Sequence, residues 1–221
     1  MTIHAQAGAL IDWSWIEQNA GQIWDRTIEH LTLTGISVAL GLVISVGLAI
    51  VALRWRWSFS PITWTTGFLY TIPSLALFAF LVPLVGLNEV NAVIALTSYT
   101  LLILVRNIVA GIDGVPAAVL EAADGMGYTR RARFWRMEVP LALPAIVAGV
   151  RIASVTTVGL VTITAILGLG GYGFFILRGL NTLFFTQMIV GVVLSVILAT
   201  LLDFAFILAE RTLSPWARSS Q

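Results

Sequence analysis

The sequence predicts an all-α protein that crosses a membrane about five times. Of its 221 residues, 58% are hydrophobic and only 10% are charged, and the mean hydropathy is +0.95. This much apolar surface exceeds what a water-soluble domain buries, so a lipid bilayer is the expected surrounding. Several uncharged runs also approach the roughly 20 residues that a helix needs to cross the hydrocarbon core.

Five candidate spans are visible as long apolar runs. The second run contains Pro73 and Pro83, which we expect to kink its helix. The third continues past Arg106, whose long side chain can reach the headgroups. The fourth carries Arg151 and the fifth carries Asp203. The predicted spans are residues 31–53, 63–85, 90–111, 141–167 and 183–208.

The spans divide the chain into three parts. We expect residues 1–30 to be external or interfacial, 31–210 to form a single transmembrane domain, and 211–221 to be a cytoplasmic tail. Apolar residues recur at helical spacing within residues 13–28, which predicts a helix lying in the external membrane interface. A frayed tail is the alternative. No removable signal peptide is expected, because no basic segment with a cleavage site begins the sequence.

The distribution of basic residues predicts the orientation. Basic loops stay on the cytoplasmic side, and placing residues 113–140 there leaves only Arg26 and Arg178 outside, with Arg151 embedded. We therefore expect an external N-terminus and a cytoplasmic C-terminus. The residues placed inside are Arg54, Arg56, Arg106, Arg130, Arg131, Arg133, Arg136, Arg211 and Arg218.

Composition argues against catalysis by this chain. All twelve basic residues are Arg, so the Lys that the phosphate-binding loop of an ATPase requires is missing. There is no Cys, and both His residues, His4 and His30, precede the first span. An intramembrane enzyme would need a nucleophile and a base, or metal ligands, at bilayer depth. We expect no enzymatic activity and no bound metal or cofactor.

The polar segment of about 113–140 contains a motif with a clear local structure. Glu121, Ala122 and Ala123 are followed after three residues by Gly127, and nine residues later by Met137-Glu138-Val139-Pro140. We expect two short helices around a turn, with Gly127 in a left-handed conformation. Pro116 should lie in the first helical turn and Thr129 should cap the second helix. A basic loop that only determines topology is the alternative.

This spacing resembles the E-A-A, three residues, G, nine residues, I-x-L-P signature of permeases in binding-protein-dependent ABC importers. Met137 and Val139 replace the Ile and Leu of the signature. Other segments look like the branch of this family that imports osmoprotectants, which are quaternary ammonium compounds such as glycine betaine, choline and carnitine. Those segments are 71–77, Arg106-Asn107, 125–127, Leu143-Pro144 and 168–173.

The resemblance implies several partners. The helix around residues 121–127 would dock into ATPase subunits, which would bind the ATP and Mg. A second permease chain, identical or different, and an extracytoplasmic substrate-binding protein would complete an importer in a bacterial cytoplasmic membrane, and no nucleic acid is involved. The coupling residues implied are Glu121, Ala122, Ala123, Gly125, Gly127, Arg130 and Arg131.

An external aromatic cluster is a candidate for the mouth of the pathway. Gly168, Gly170 and Gly173 formally match a dinucleotide-binding pattern, but they follow a membrane span and no strand precedes them. We expect these glycines to bend the chain. The neighbouring rings could attract a quaternary ammonium group, or simply pack against helices or lipid. These rings belong to Tyr172, Phe174 and Phe175.

Two further candidate features lie within the predicted spans: a pair of charged residues and a stripe of small residues. Each charge is costly at mid-bilayer, so we expect Arg151 to pair with Asp203, either structurally or as part of a gate, or each of them to pair with another polar group. In the first span, small residues repeat every four positions and would permit close approach by a helix of this or another chain. The stripe comprises Ser37, Gly41, Ser45 and Ala49.

A secondary transporter or channel that works without an ATPase is the main functional alternative. A secondary transporter normally carries several intramembrane acids or broken helices for coupling ions. Only Asp203 is a candidate of this kind in the sequence.

Overall fold

The computed structural model describes residues 11–213, and all regular structure in that part of the chain is helical. The prediction of an all-α protein is confirmed. His4 and Arg218, with most of the predicted tail, lie outside the described residues. The α-helices are α1 (Trp13–Gln18), α2 (Ala20–Arg54), α3 (Phe59–Thr71), α4 (Ser74–Val85), α5 (Glu89–Asp113), α6 (Ala117–Gly125), α7 (Arg130–Arg133), α8 (Val139–Val161), α9 (Gly173–Thr182) and α10 (Phe185–Leu213).

Four helical stretches within residues 11–213 are long and apolar enough to cross a membrane. The pair α3 and α4 passes the same test jointly, although the two helices are bent by 96° at their junction. The number of spans agrees with the predicted five if this pair forms one span. The four continuous stretches are Ala20–Arg54, Glu89–Asp113, Arg130–Leu167 and Phe185–Thr212.

Contacts between α2 and α5 indicate that α3 and α4 together cross the bundle once. In the first halves of α2 and α5, the Thr97 hydroxyl donates to the Ser37 carbonyl at 3.3 Å. At the other end, Arg56 donates two hydrogen bonds of 2.8 and 2.7 Å to Asp113, the last residue of α5. α2 and α5 therefore run parallel, so the segment between them must return to the starting end.

The break between α3 and α4 corrects the prediction of one kinked second span. Pro73 cannot donate a backbone N–H and disfavours helical geometry in the residue before it, and both Ile72 and Pro73 have extended backbone. The carbonyl of Ile72 instead accepts a 2.6 Å hydrogen bond from the Tyr99 hydroxyl on α5. Pro83 lies inside α4 without ending it.

The start of the first span also differs from the prediction. α2 is continuous from Ala20 to Arg54, so residue 30 is not a structural boundary between an interfacial helix and a span. Thirty-five residues of helix reach about 52 Å, well beyond the ~30 Å hydrocarbon core. The helical structure contradicts the frayed-tail alternative, and the Trp15 ring packs edge-on against Phe175 and Phe184.

Small residues bring α2, α5 and α8 together in the centre of the bundle. The predicted stripe from Ser37 to Ala49 is buried, and its neighbour is α5 of the same chain. A Cβ atom on Gly41 would overlap the hydroxyl of Thr100. Two turns further along α5, a Cβ on Gly149 of α8 would lie 2.5 Å from the Cβ of Asn107. The pairs α2–α5 and α5–α8 can approach this closely because Gly41 and Gly149 have no side chain at the contact.

Replacing Gly41 with Ala should destabilise the protein, although Ala favours a helix by about 1 kcal/mol over Gly. We expect a net loss of about 1–3 kcal/mol, as for other overpacked cores, because Thr100 is β-branched and adapts poorly. The measurement is the thermal unfolding midpoint in detergent micelles. Gly47→Ala on the same helix is the control, because a Cβ there has no neighbour within 4 Å. Equal midpoints for the two variants would contradict the packing argument.

Candidate functional site

Helix α6 and the residues that follow it, up to Arg131, present most of the predicted coupling residues on the protein surface. Six of the seven are exposed, whereas Ala123 is only 1% exposed and packs inward. The large apolar side chains of Met126 and Trp135 lie nearby with exposures of 64% and 59%. Exposed apolar side chains beside charged ones are typical of a surface that receives a protein partner. The exposed coupling residues are Glu121, Ala122, Gly125, Gly127, Arg130 and Arg131.

A tight turn with defined hydrogen bonds follows α6. Gly127 has a φ of +78°, in the left-handed region that side chains with a Cβ rarely adopt. The Tyr128 N–H donates to the Ala123 carbonyl at 3.1 Å and the Gly127 N–H donates to the Asp124 carbonyl at 2.9 Å, which is the Schellman arrangement. The Thr129 hydroxyl accepts from the Ala132 N–H at 3.2 Å. The local geometry predicted at Gly127 and Thr129 is present.

The second helix of this segment is not a separate short helix. From Arg130 the chain continues through the π-helix Phe134–Glu138 directly into α8, so the fourth span has no break at residue 141. Pro140 has no N–H to offer the carbonyl four residues earlier, and the wider π turn lies just before it. At the other end, Pro116 precedes α6 with extended backbone rather than lying in its first turn.

Arg133 links α6 to the start of the fourth span. Its Nη1 lies 2.6 Å from Asp124 Oδ2 on α6, and its Nε lies 3.0 Å from Glu138 Oε1 at the end of the π-helix. Isolated surface ion pairs contribute little stability. A planar guanidinium held by two carboxylates nevertheless fixes the relative orientation of the segments that carry them. The sequence analysis counted Arg133 only as a basic residue and missed this link.

The two intramembrane charges contact each other. Arg151 Nε on α8 lies 2.5 Å from Asp203 Oδ1 on α10. Their side chains are 35% and 37% exposed, so the pair is only partly enclosed by this chain. The structure therefore contains the ion pair that the sequence predicts. The two roles suggested for it, stability and gating, remain predictions.

The glycine-rich turn after α8 is held by two adjacent residues in the first third of α2. The Gly170 N–H donates to Glu29 Oε1 at 3.2 Å, and the Tyr172 N–H donates to His30 Nδ1 at 3.3 Å. Since Nδ1 accepts, Nε2 carries the proton and donates to the Val158 carbonyl at 3.1 Å. Backbone groups of an irregular segment near lipid thereby find partners. The sequence analysis assigned no role to Glu29 or His30, although adjacent polar residues where a span begins are a usable signal.

The three aromatic rings that follow the glycine-rich turn occupy different environments. Tyr172 is 3% exposed and Phe175 is fully buried, which favours the packing alternative for these two rings. Phe174 is partly exposed, and the guanidinium carbon of Arg26 lies 4.1 Å from its ring centroid. The faces of Tyr172 and Phe175 are therefore occupied by this chain's own residues.

The described residues 11–213 contain no group of three or more His, Asp or Glu side chains that could hold a metal ion.

Comparison with known proteins assigns this architecture to a family. The family model described as "binding-protein-dependent transport system inner membrane component" matches residues 37–219. The chain belongs to this family. Its members are the transmembrane permease subunits of ABC importers, so the class of function predicted from the E-A-A motif is confirmed.

Curated relatives and solved structures agree with this assignment. The choline transport system permease protein OpuBB of Bacillus subtilis (strain 168) is 36% identical over 201 residues, covering 91% of this chain and 93% of the relative. The glycine betaine/carnitine/choline transport system permease protein OpuCB of the same strain is 34% identical over 202 residues, with coverages of 91% and 93%. The MetNI methionine ABC transporter, solved in inward-facing conformations, shares the fold with a TM-score of 0.72 at 22% identity, covering 92% of this chain and 99% of that one.

Removing both members of the Arg151–Asp203 pair should destabilise the permease less than the more damaging of the two single substitutions. Arg151→Leu and Asp203→Leu each leave one uncompensated charge, which costs up to ~3 kcal/mol at mid-bilayer on insertion scales. The double variant leaves none, so its thermal midpoint in lipid nanodiscs should lie above that of the worse single variant. A double variant no more stable than that single variant would rule out direct pairing as the source of stability.

Proposed function

We propose that this permease imports quaternary ammonium osmoprotectants, such as glycine betaine, choline and carnitine, when driven by partner ATPases. In this proposal α6 and the following turn dock on the ATPase subunits, which hold ATP and Mg. A second permease chain, identical or different, forms the pathway with this one. An extracytoplasmic binding protein delivers the substrate.

The observation that carries the coupling role is the exposed surface of α6 together with its rigid connection to α8. The side of α6 that carries Glu121 and Gly125, together with Met126, is exposed and accessible to a partner protein. Ala123 is buried and packs α6 against the rest of the chain. A push on α6 would reach α8 through the continuous helix from Arg130 and through the two Arg133 ion pairs. Rigid elements of this kind transmit the rotations by which transporters alternate access.

The orientation and the substrate rest on separate arguments. The ends of α2 and α5 lie together at Arg56 and Asp113, so the arginines near them share one side of the membrane with α6. The positive-inside rule makes that side the cytoplasm, with the N-terminus outside. The substrate class is supported by the names of the relatives, which transport choline, carnitine and glycine betaine.

ATP-dependent uptake is the direct test of the proposed function. Proteoliposomes would contain this permease with the ATPase and binding protein encoded beside it, and would be given labelled glycine betaine, carnitine or choline. We expect uptake only when ATP reaches the ATPase and the binding protein is present. Uptake driven by an ion gradient without the ATPase would support the secondary-transporter alternative, and ATP-driven uptake of an unrelated solute would correct the substrate class.

Gly127 provides a test of coupling that separates backbone conformation from side-chain bulk. A Cβ at this position has no neighbour within 4 Å, yet φ is +78°. Gly127→Val should strain the turn by more than the ~1–2 kcal/mol typical of a left-handed residue and reduce ATP-driven uptake at least several-fold. Asn tolerates this conformation, so Gly127→Asn should retain most uptake.

Membrane insertion of both Gly127 variants is the accompanying control. It would be measured by the amount of folded protein recovered from membranes, and we expect it to match the unsubstituted chain. Normal uptake by Gly127→Val would contradict the role proposed for the turn.

A further inference from the structure

A groove of about 990 Å³ runs along the interface of α3 and α5. Asp113 and Phe59 line it at the end where α6 begins, and Thr71 lines it beside the bend between α3 and α4. The α3 wall is formed by residues at helical spacing, which mix aromatic rings with small and hydroxyl-bearing side chains. These are Ser60, Thr63, Trp64, Gly67 and Phe68.

Arg106 is the one basic residue that lines this groove. It lies seven residues before Asp113 on α5, about 10 Å inward from that end of the helix. Its side chain is exposed, and it takes part in none of the ion pairs among residues 11–213. The nearby carboxylate of Asp113 is occupied by two hydrogen bonds from Arg56. An ionisable residue inside a span without a partner indicates a functional site.

The aromatic wall complements that charge. The rings of Trp64 and Phe68 are 78% and 67% exposed, so their faces are not covered by this chain. Aromatic faces attract quaternary ammonium groups, and Trp does so most strongly. A guanidinium is well suited to bind a carboxylate with two parallel hydrogen bonds. One groove therefore offers a site for each end of a zwitterion.

We propose that this groove binds a trimethylammonium carboxylate, with its carboxylate on Arg106 and its cationic head against Trp64 and Phe68. This inference rests on the proposed function and specifies where the permease itself contacts its substrate. Glycine betaine and carnitine carry both groups, whereas choline carries only the cation. The groove should therefore distinguish the two zwitterions from choline.

Neither lipid nor a second permease chain alone would compensate the charge of Arg106 in this groove. A wall that faced only acyl chains would not need a guanidinium, because a charged group is costly in hydrocarbon. A two-fold symmetric contact with an identical chain would present the same patch from both sides and bring two Arg106 side chains toward each other. An anionic group between the two chains would relieve that repulsion.

Ligand protection of single cysteines tests the proposal without requiring transport. The chain has no Cys, so Ser60→Cys and Thr71→Cys would report on the two ends of the groove. The importer, assembled with its partner proteins, would be placed in nanodiscs of phosphatidylethanolamine and phosphatidylglycerol, whose headgroups carry no trimethylammonium. We expect a water-soluble maleimide to label both cysteines, and glycine betaine to slow the labelling saturably. Val43→Cys, at a 72% exposed position on α2, should stay unlabelled as a lipid-facing control.

Variants of the groove residues give the decisive comparison. Arg106→Gln should raise the half-protecting concentration of glycine betaine and carnitine at least about tenfold, the usual effect of losing a hydrogen bond to a charged group. Protection by choline should not weaken. Trp64→Leu should raise the concentration for all three compounds by roughly 3- to 30-fold. Phe80→Leu is the matched control, because Phe80 is 69% exposed on α4 but does not line the groove.

Several outcomes would overturn the proposal. Cysteines that are not labelled would mean that lipid or a second chain covers the groove. A disulfide between the Thr71→Cys positions of two copies would show that the covering partner is a second copy of this chain. Labelling without protection would mean a water-filled groove with no ligand. Equal weakening of the protection by glycine betaine and by choline in Arg106→Gln would remove the assigned role of the guanidinium.

Protection without ATP-driven uptake of any quaternary ammonium compound would instead count against the proposed function, and the proposed binding site would still hold.

Discussion

Peptide groups inside a bilayer have no water to bond, so the break before Pro73 and the glycine-rich turn after α8 depend on side chains from neighbouring helices. At the break before Pro73, Tyr99 on α5 supplies the donor that the Ile72 carbonyl lacks. At the glycine-rich turn after α8, Glu29 and His30 on α2 accept two backbone N–H groups. Both irregular segments therefore rest on the central helices, and those helices must stay close together for the bends to persist.

The small residues of α2, α5 and α8 provide that closeness, while charged residues connect the outer parts to the centre. Arg133 holds α6 against the start of α8, and the Arg151–Asp203 pair joins α8 to α10. α8 thus lies between the surface proposed to meet the ATPase and the last span. This arrangement favours movement of packed helices as a unit over bending of a loop, which is the behaviour expected of a coupled transporter.

Much of the architecture was predictable because a bilayer requires long apolar helices. The third span and the Arg151–Asp203 contact agree with the sequence analysis, as do the left-handed Gly127 and the cap at Thr129. These features depend on local chain geometry or on the high cost of a lone charge. The break at Pro73 is larger than the predicted kink, because the sequence shows only that a proline removes a hydrogen bond and not that Tyr99 on another helix bonds the Ile72 carbonyl at the break.

By itself, the sequence determined that the chain is an all-helical membrane permease and located the motif proposed to couple it to an ATPase, because apolar run length and motif spacing are properties of the linear chain. Only the tertiary structure decided that Ala123 faces inward, that Arg133 links two segments, and that Glu29 and His30 support a turn far along the chain. It alone placed Arg106 and Trp64 in the lining of one groove. Such contacts depend on which helix faces lie together, and packing among several similar apolar helices is not encoded in the pattern of any one of them.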